Sequence, residues 1–194
     1  MLATIETCNA CRRGLVPGDG GAFVDGDVIH LGCYVNAGLN QRSEPGISRD
    51  LLLGIHVLIV EDSATTREML RAALEYCGGF ITLAASVEEG KTILREIRPR
   101  VIVSDISMPD NGYELVRDVL VFAAQTGLMI PAVAVTGSRD SRQHAKDAGF
   151  AAFITKPLDP FMLALVVARL AISPKFHTRD AFPLVVDLEC DDPT

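Results

Sequence analysis

Short apolar runs alternate with helix-like periods along the chain from His56 onward. The segment HVLIV (56–60) is almost continuously apolar, which is the pattern of a parallel strand covered on both faces. Between residues 63 and 77 apolar side chains recur at helical spacing, and Gly78 and Gly79 follow them. This spacing predicts an amphipathic helix that ends at the glycines.

The same pattern of a strand followed by a helix occurs five times. Predicted strands cover 56–60, 80–84, 101–105, 130–136 and 151–155. Predicted helices cover 63–77, 86–98, 112–125, 141–148 and 159–171. Five such units with short loops favour an α/β fold, a doubly wound, five-stranded parallel (βα)5 sheet of the flavodoxin-like kind.

Polar residues stand where the predicted strands end, namely Glu61, Asp62, Asp105, Thr136 and Lys156. In a doubly wound sheet the carboxyl ends of the strands meet in one crevice. Carboxylates crowded there repel one another unless a cation lies among them, and Mg²⁺ suits a few carboxylates with several waters. A metal-shielded carboxylate beside a lysine can attack phosphorus, so Asp105 is the candidate nucleophile.

Four stretches, VLIVEDS, VIVSDISMPDNGYEL, AVTGS and FITKPL, resemble the signature segments of the response-regulator receiver domain of two-component signalling. The resemblance covers about residues 55–173. It implies that the protein accepts a phosphoryl group from a histidine kinase or a phosphotransfer protein and is not an enzyme acting on a separate substrate. A hydrolase that forms an aspartyl phosphate would need an acid two residues after the nucleophile, where this chain has Ser107.

The resemblance also implies roles for single residues. Asp105 would be the phosphoacceptor, Lys156 would contact the phosphoryl group, and Thr136 and Phe153 would be the switch residues. The implied Mg²⁺ ligands are Asp62 and Asp105 directly, Glu61 through water, and the backbone carbonyl of Ser107. Ser107 and Ser138 would border the path of the hydrolytic water, and because both are short and neutral we expect slow self-dephosphorylation. Pro109 and Gly112 lie three apart, where the family commonly has four.

A second group of candidate ligands lies near the N-terminus. Cys8, Cys11, His30 and Cys33 form the pattern C-x2-C-x18-H-x2-C, which supplies four ligands for a tetrahedral zinc ion. The spacing resembles the first half of a LIM-type zinc finger, and the residues between the pairs predict a hairpin. A redox-active CxxC pair is the alternative, but it would leave His30 and Cys33 without a role.

Composition limits the remaining possibilities. The 194 residues are 48% hydrophobic with a net charge of −7, so a nucleic-acid surface, which needs clustered Lys and Arg, is not expected. No apolar stretch reaches the roughly 20 residues that span a bilayer, and the N-terminus lacks the features of a signal peptide. We therefore expect a cytoplasmic protein.

The predicted organisation has four parts: a zinc-binding module (1–35), a linker (36–54), a receiver domain (55–173) and an acidic tail (174–194). The predicted function is phosphorylation-dependent contact with a downstream protein partner, with homodimer formation left open. The sequence leaves two alternatives open. The zinc module could bind DNA in a transcription regulator, or the chain could be a phosphate sink without output.

Overall fold

The computed structural model describes residue 8 and the ranges 12–13, 21–24, 27–30, 33, 49–137 and 141–173. Cys11, Ser138 and the predicted tail lie outside the described residues. Within the described part of the chain, no helix is long and apolar enough to cross a membrane.

Seven strands form one sheet. They are β1 (Gly21–Val24), β2 (Asp27–His30), β3 (His56–Val60), β4 (Phe80–Ala84), β5 (Val101–Asp105), β6 (Ala132–Thr136) and β7 (Ala152–Thr155). Their order is β2-β1-β7-β6-β5-β3-β4. The strands from β3 to β7 pair in parallel, which confirms the predicted five-stranded parallel sheet.

Five helices connect or follow these parallel strands. They are α1 (Ala64–Tyr76), α2 (Val87–Ile97), α3 (Tyr113–Thr126), α4 (Ser141–Ala148) and α5 (Pro160–Ile172). Side-chain caps explain where three of them begin, because Ser63, Ser86 and Asp159 each accept a hydrogen bond from a backbone N–H of the first turn. Each helix lies within one or two residues of its predicted bounds.

The helices cover both faces of the sheet and enclose two hydrophobic cores. On one face, Leu70 and Leu74 of α1 and Leu163 and Val167 of α5 pack with alternate residues of the strands. On the other face, buried side chains of α2, α3 and α4 pack with the remaining strand residues. The strands are apolar on both faces for this reason, and burial of these side chains is the main stabilising contribution.

The N-terminal hairpin extends the parallel sheet. Strands β1 and β2 pair antiparallel, as the sequence predicted. The sequence did not predict that β1 also pairs antiparallel with β7, through Gly21 with Phe153 and Ala22 with Ala152. The sheet therefore has two strands more than the predicted five.

Part of the predicted linker also belongs to the packed structure. Leu52 is fully buried in the core that α1 and α5 cover. Its backbone N–H donates to the carbonyl of Cys77, the residue that follows α1, at 2.8 Å.

Candidate functional site

Three carboxylates converge at the carboxyl edge of the parallel strands. Asp105 is the last residue of β5, and Glu61 and Asp62 directly follow β3, the neighbouring strand. One oxygen of each carboxylate lies within 4.8 Å of the others. Glu61 and Asp105 are only 2% and 5% exposed, whereas Asp62 is open to solvent.

Lys156 joins the two buried carboxylates. Its Nζ lies 2.6 Å from Oδ2 of Asp105 and 3.1 Å from Oε2 of Glu61. Lys156 immediately follows β7, and its backbone N–H donates to the carbonyl of Thr136 at 2.7 Å. The sheet thus holds the lysine backbone while the side chain reaches across β6 to the end of β5.

Electrostatics at the site follow from this burial. Loss of hydration raises the pKa of Glu61, and the nearby charge of Asp105 raises it further, while the hydrogen bond from Lys156 opposes the rise. Burial alone would lower the pKa of Lys156, but its hydrogen bonds to Asp105 and Glu61 outweigh burial and raise it. Lys156 is therefore firmly protonated and supplies one fixed positive charge.

Backbone groups hold the carboxylates in place. The N–H of Ser107 donates to Oδ1 of Asp105 at 2.7 Å, and the N–H of Ser63 donates to Oε1 of Glu61 at 3.2 Å. The Oγ of Ser107 accepts from the N–H of Gly137 at 3.4 Å. Both oxygens of Asp105 thus have a donor, one from the backbone and one from Lys156.

The loop after β5 approaches the end of that strand closely. A Cβ on Gly112 would overlap the carbonyl oxygen of Asp105 and lie 2.8 Å from the Cα of Ile106. Asn111, between Pro109 and Gly112, has a φ of 55° in the left-handed region, where asparagine is tolerated better than most residues.

The two predicted switch residues lie beside the site. Thr136 is the last residue of β6 and is 1% exposed, and Phe153 in β7 is 1% exposed. Phe153 packs in the core that contains Ile106 and Met108, which follow Asp105. The structure therefore brings Glu61, Asp62, Asp105, Thr136 and Lys156 to one edge of the sheet, with Phe153 buried near it.

Comparison with known protein families agrees with this geometry. The response regulator receiver domain family matches residues 57–168, which is more than half of the chain. The chain belongs to this family.

Two relatives are similar in sequence to the receiver domain of this chain. An uncharacterized 14.6 kDa protein of Leptolyngbya boryana is 34% identical over 125 residues, which are 63% of this chain and 94% of that protein. Response regulator Rre1 of Synechocystis is 32% identical over 118 residues, which are 60% of this chain and 51% of that protein. The match thus spans about half the length of Rre1.

Among solved structures, the receiver domain of Ssk1 from Saccharomyces cerevisiae, crystallised with the phosphotransfer protein Ypd1, has a TM-score of 0.58 to this chain. It is 24% identical, and the alignment covers 62% of this chain and 90% of that one. At this identity the similarity shows the receiver fold alone.

Receiver domains bind Mg²⁺ at an acidic site, and here Glu61, Asp62 and Asp105 form that site. Their donors fit the ion: all three are hard oxygen atoms, two are buried, and one is open to the water that Mg²⁺ retains. Two buried carboxylates share one lysine, so the site keeps negative charge that a divalent cation would balance.

Arg67 is a site residue that sequence reasoning missed. Its Nη1 donates to the carbonyl of Glu61 at 2.6 Å and to that of Asp62 at 3.2 Å, which fixes the backbone that carries both acids. A signal was present, because a cation in the first turn of α1 opposes the helix dipole and so needs another reason to be there.

The N-terminal ligand candidates also come together, as far as the structure describes them. Cys8, His30 and Cys33 each offer a ligand atom within 4.8 Å of the others. The backbone N–H of His30 donates to Sγ of Cys8 at 3.3 Å. Cys11, the predicted fourth ligand, lies outside the described residues.

Proposed function

We propose that this protein is a response regulator whose phosphoacceptor is Asp105. The observation that carries the proposal is the contact of 2.6 Å between Nζ of Lys156 and Oδ2 of Asp105, at the end of β5 and beside Glu61. Lysine at this distance neutralises charge on a phosphoryl group held by the aspartate. Homology with response regulators supports the same reading.

In the reaction, a carboxylate oxygen of Asp105 forms a bond to phosphorus. The bond between phosphorus and the imidazole nitrogen of a donor phosphohistidine breaks, and that nitrogen keeps the electron pair and takes a proton from solvent. Lys156 faces the developing charge, and the N–H of Ser107 orients the carboxylate. Bound Mg²⁺ would add positive charge at the same site, held by Asp62 and Asp105 directly, by Glu61 through water and by the Ser107 carbonyl.

The donor is a histidine kinase or a phosphotransfer protein. The co-crystal structure of Ssk1 with Ypd1 supports this partner class for the receiver fold. We further propose that the chain acts in the cytoplasm through phosphorylation-dependent contacts of Thr136 and Phe153 with the rest of the domain, read by a downstream protein. It turns over no separate substrate.

The N-terminal residues are proposed to bind zinc. Two cysteine sulfurs and a histidine nitrogen within 4.8 Å of one another supply three of the ligands of a Cys₃His site. The hydrogen bond from the N–H of His30 to the sulfur of Cys8 suits a thiolate, and Cys11 would complete the tetrahedron by its spacing in the LIM-like pattern.

Labelling with a small phosphoryl donor tests the phosphoacceptor. The full-length protein is incubated with the donor and Mg²⁺, and its intact mass is measured. We expect one phosphoryl group per chain, and no labelling when a chelator removes Mg²⁺ before the donor is added. Asp105→Asn should take up none, while Asp110→Asn, a change at an exposed neighbour, should be labelled like the wild type. Equal labelling of both variants would contradict the proposal.

A further inference from the structure

The N-terminal hairpin and the phosphoacceptor site share strand β7. One edge of β7 pairs with β1, through Ala152 and Phe153. The other edge pairs with β6, where Thr155 lies opposite Thr136. Because β7 has only four residues, Phe153, which pairs with β1, lies only two residues before Thr155.

The candidate metal ligands are packed into the receiver core rather than beside it. Cys8 is fully buried and belongs to the same hydrophobic cluster as Ala152 and Ile154 of β7 and Leu163 of α5. Ile29, next to His30, belongs to that cluster too, and Cys33 packs against it. A cation held by these residues would therefore fix β2 and its surroundings against β7.

Chemistry identifies the class of ion. A thiolate in an apolar environment is costly unless a cation or hydrogen bonds balance its charge. Cysteine sulfur with a histidine nitrogen favours a thiophilic divalent ion of the zinc class over Mg²⁺ or Ca²⁺. This ion is thus chemically distinct from the one that the carboxylate site would take.

The opposite end of β7 leads directly to the phosphoacceptor. Lys156 follows the strand, its N–H is held by the carbonyl of Thr136 at 2.7 Å, and its Nζ reaches Asp105 at 2.6 Å. A shift of β7 would move the lysine backbone. Small displacements of a group that stabilises charge reduce the rate of reaction strongly.

We infer that a zinc-class cation at Cys8, His30 and Cys33 controls phosphoryl uptake at Asp105, by fixing the hairpin on β7 and so positioning Lys156. The inference rests on the proposed function of Asp105. Metal binding at the N-terminal site would then regulate the receiver domain in addition to the phosphoryl donor.

The test compares the full-length protein with zinc removed and with zinc restored. Zinc is removed with a zinc-selective chelator, and the chelator is then removed by buffer exchange. Mg²⁺ is kept in excess throughout, and the labelling rate with the small phosphoryl donor is measured by intact mass. We expect the zinc-free protein to be labelled at least roughly 5-fold more slowly, because a displaced Lys156 stabilises the transferred phosphoryl group less well. Restoring zinc should restore the rate.

Variants give a second route to the same result. His30→Asn and Cys33→Ser remove ligands that are only partly buried, and both should lower zinc content and slow labelling. His144→Asn, at an exposed position of α4, is the matched control and should change neither. Cobalt can replace zinc as a probe, and thiolate-to-cobalt absorption should appear in the wild type and weaken in Cys33→Ser.

Hydrogen exchange separates the positioning of Lys156 from general unfolding. Without zinc, amides of 152–155 should exchange faster while those of 56–60 stay protected. Equal labelling rates with and without zinc, failure to bind zinc, or loss of protection throughout the sheet would each overturn the inference. Absence of labelling in the zinc-loaded wild type would instead overturn the proposed role of Asp105.

Discussion

Lys156 is the only positive side chain that the structure describes as paired with the buried carboxylates, and it contacts two of them. A carboxylate that loses its partner in a buried site keeps the cost of its lost hydration. Glu61 and Asp105 are both almost fully buried. Lys156, which is proposed to contact the phosphoryl group, therefore also contributes to the stability of the fold.

Lys156→Ala should lower the free energy of unfolding by about 3–5 kcal/mol when Mg²⁺ is absent, because two buried charges lose their partner. It should also slow phosphoryl uptake at Asp105. Urea denaturation measures the first effect and intact mass the second. Lys146→Ala, on α4, is the control and should leave both close to the wild-type values. A stable, normally labelled Lys156→Ala protein would contradict the assignment.

Ser107 is predicted to limit how fast the phosphorylated state is hydrolysed. Its Oγ accepts from Gly137, and it is too short to orient a water across the phosphoryl group. We therefore expect slow self-dephosphorylation and a shorter lifetime in Ser107→Asn, whose amide reaches farther. Decay of the phosphorylated mass measures the lifetime, with Ser173→Asn at the end of α5 as the control.

The corresponding change at residue 138, Ser138→Glu, should shorten the lifetime as well, although its position lies outside the described residues. Loss of phosphate within seconds from the unmodified protein would show that neither serine limits hydrolysis.

At the scale of elements, the loop between β5 and α3 depends on a close backbone approach. A methyl group at Gly112 would meet the carbonyl of Asp105 and the Cα of Ile106, and backbone atoms cannot move aside as a flexible side chain can. Gly137, at the end of β6, has nothing within 4 Å of the corresponding position. Gly137 is therefore a suitable control position for a substitution at Gly112.

Gly112→Ala should destabilise the protein by about 1–3 kcal/mol, the usual cost of overpacking, while Gly137→Ala should change stability by much less. Thermal or urea denaturation of both variants checks the difference. Equal stability of the two would show that the loop can shift away from Asp105.

Elements were predictable where local chemistry defines them. Ser86 and Asp159 are capping residues that mark helix starts, and apolar runs mark strands buried on both faces, so the bounds of α2 and β5 follow from the sequence. The strand ends then placed Asp105 near Lys156. The pairing of β1 with β7 was not predictable, because no local signal says which edge a hairpin joins. Arg67 was missed because its partners are backbone carbonyls.

At the scale of the whole molecule, the parallel sheet has two cores, and the N-terminal side chains that the structure describes as buried lie in one of them. Cys8 and Ile29 share the core of α1 and α5, whereas the core of α2, α3 and α4 contains none of the described N-terminal side chains. Loss of the N-terminal module should therefore disturb the core of α1 and α5, which loses Cys8 and Ile29.

Zinc is expected at one equivalent per chain, and Cys8→Ser should lower this content. Ligand loss should expose residues 1–35 to protease while β3 and β5 stay folded, because these strands keep both neighbours in the sheet. Elemental analysis and limited proteolysis measure the two effects. A Cys8→Ser protein with full zinc content and an N-terminus resistant to protease would refute the prediction.

The contact of β1 with β7 has a consequence for how the chain can be shortened. A fragment beginning at residue 49 would leave β7 as a bare strand edge, with main-chain N–H and C=O groups open to pairing with another molecule. Such edges favour self-association. We expect this fragment to aggregate or dimerise at concentrations where the full chain does not, as light scattering would show. A fragment that keeps the hairpin should behave like the full chain. The N-terminal strands would then prevent self-association by covering the edge of β7.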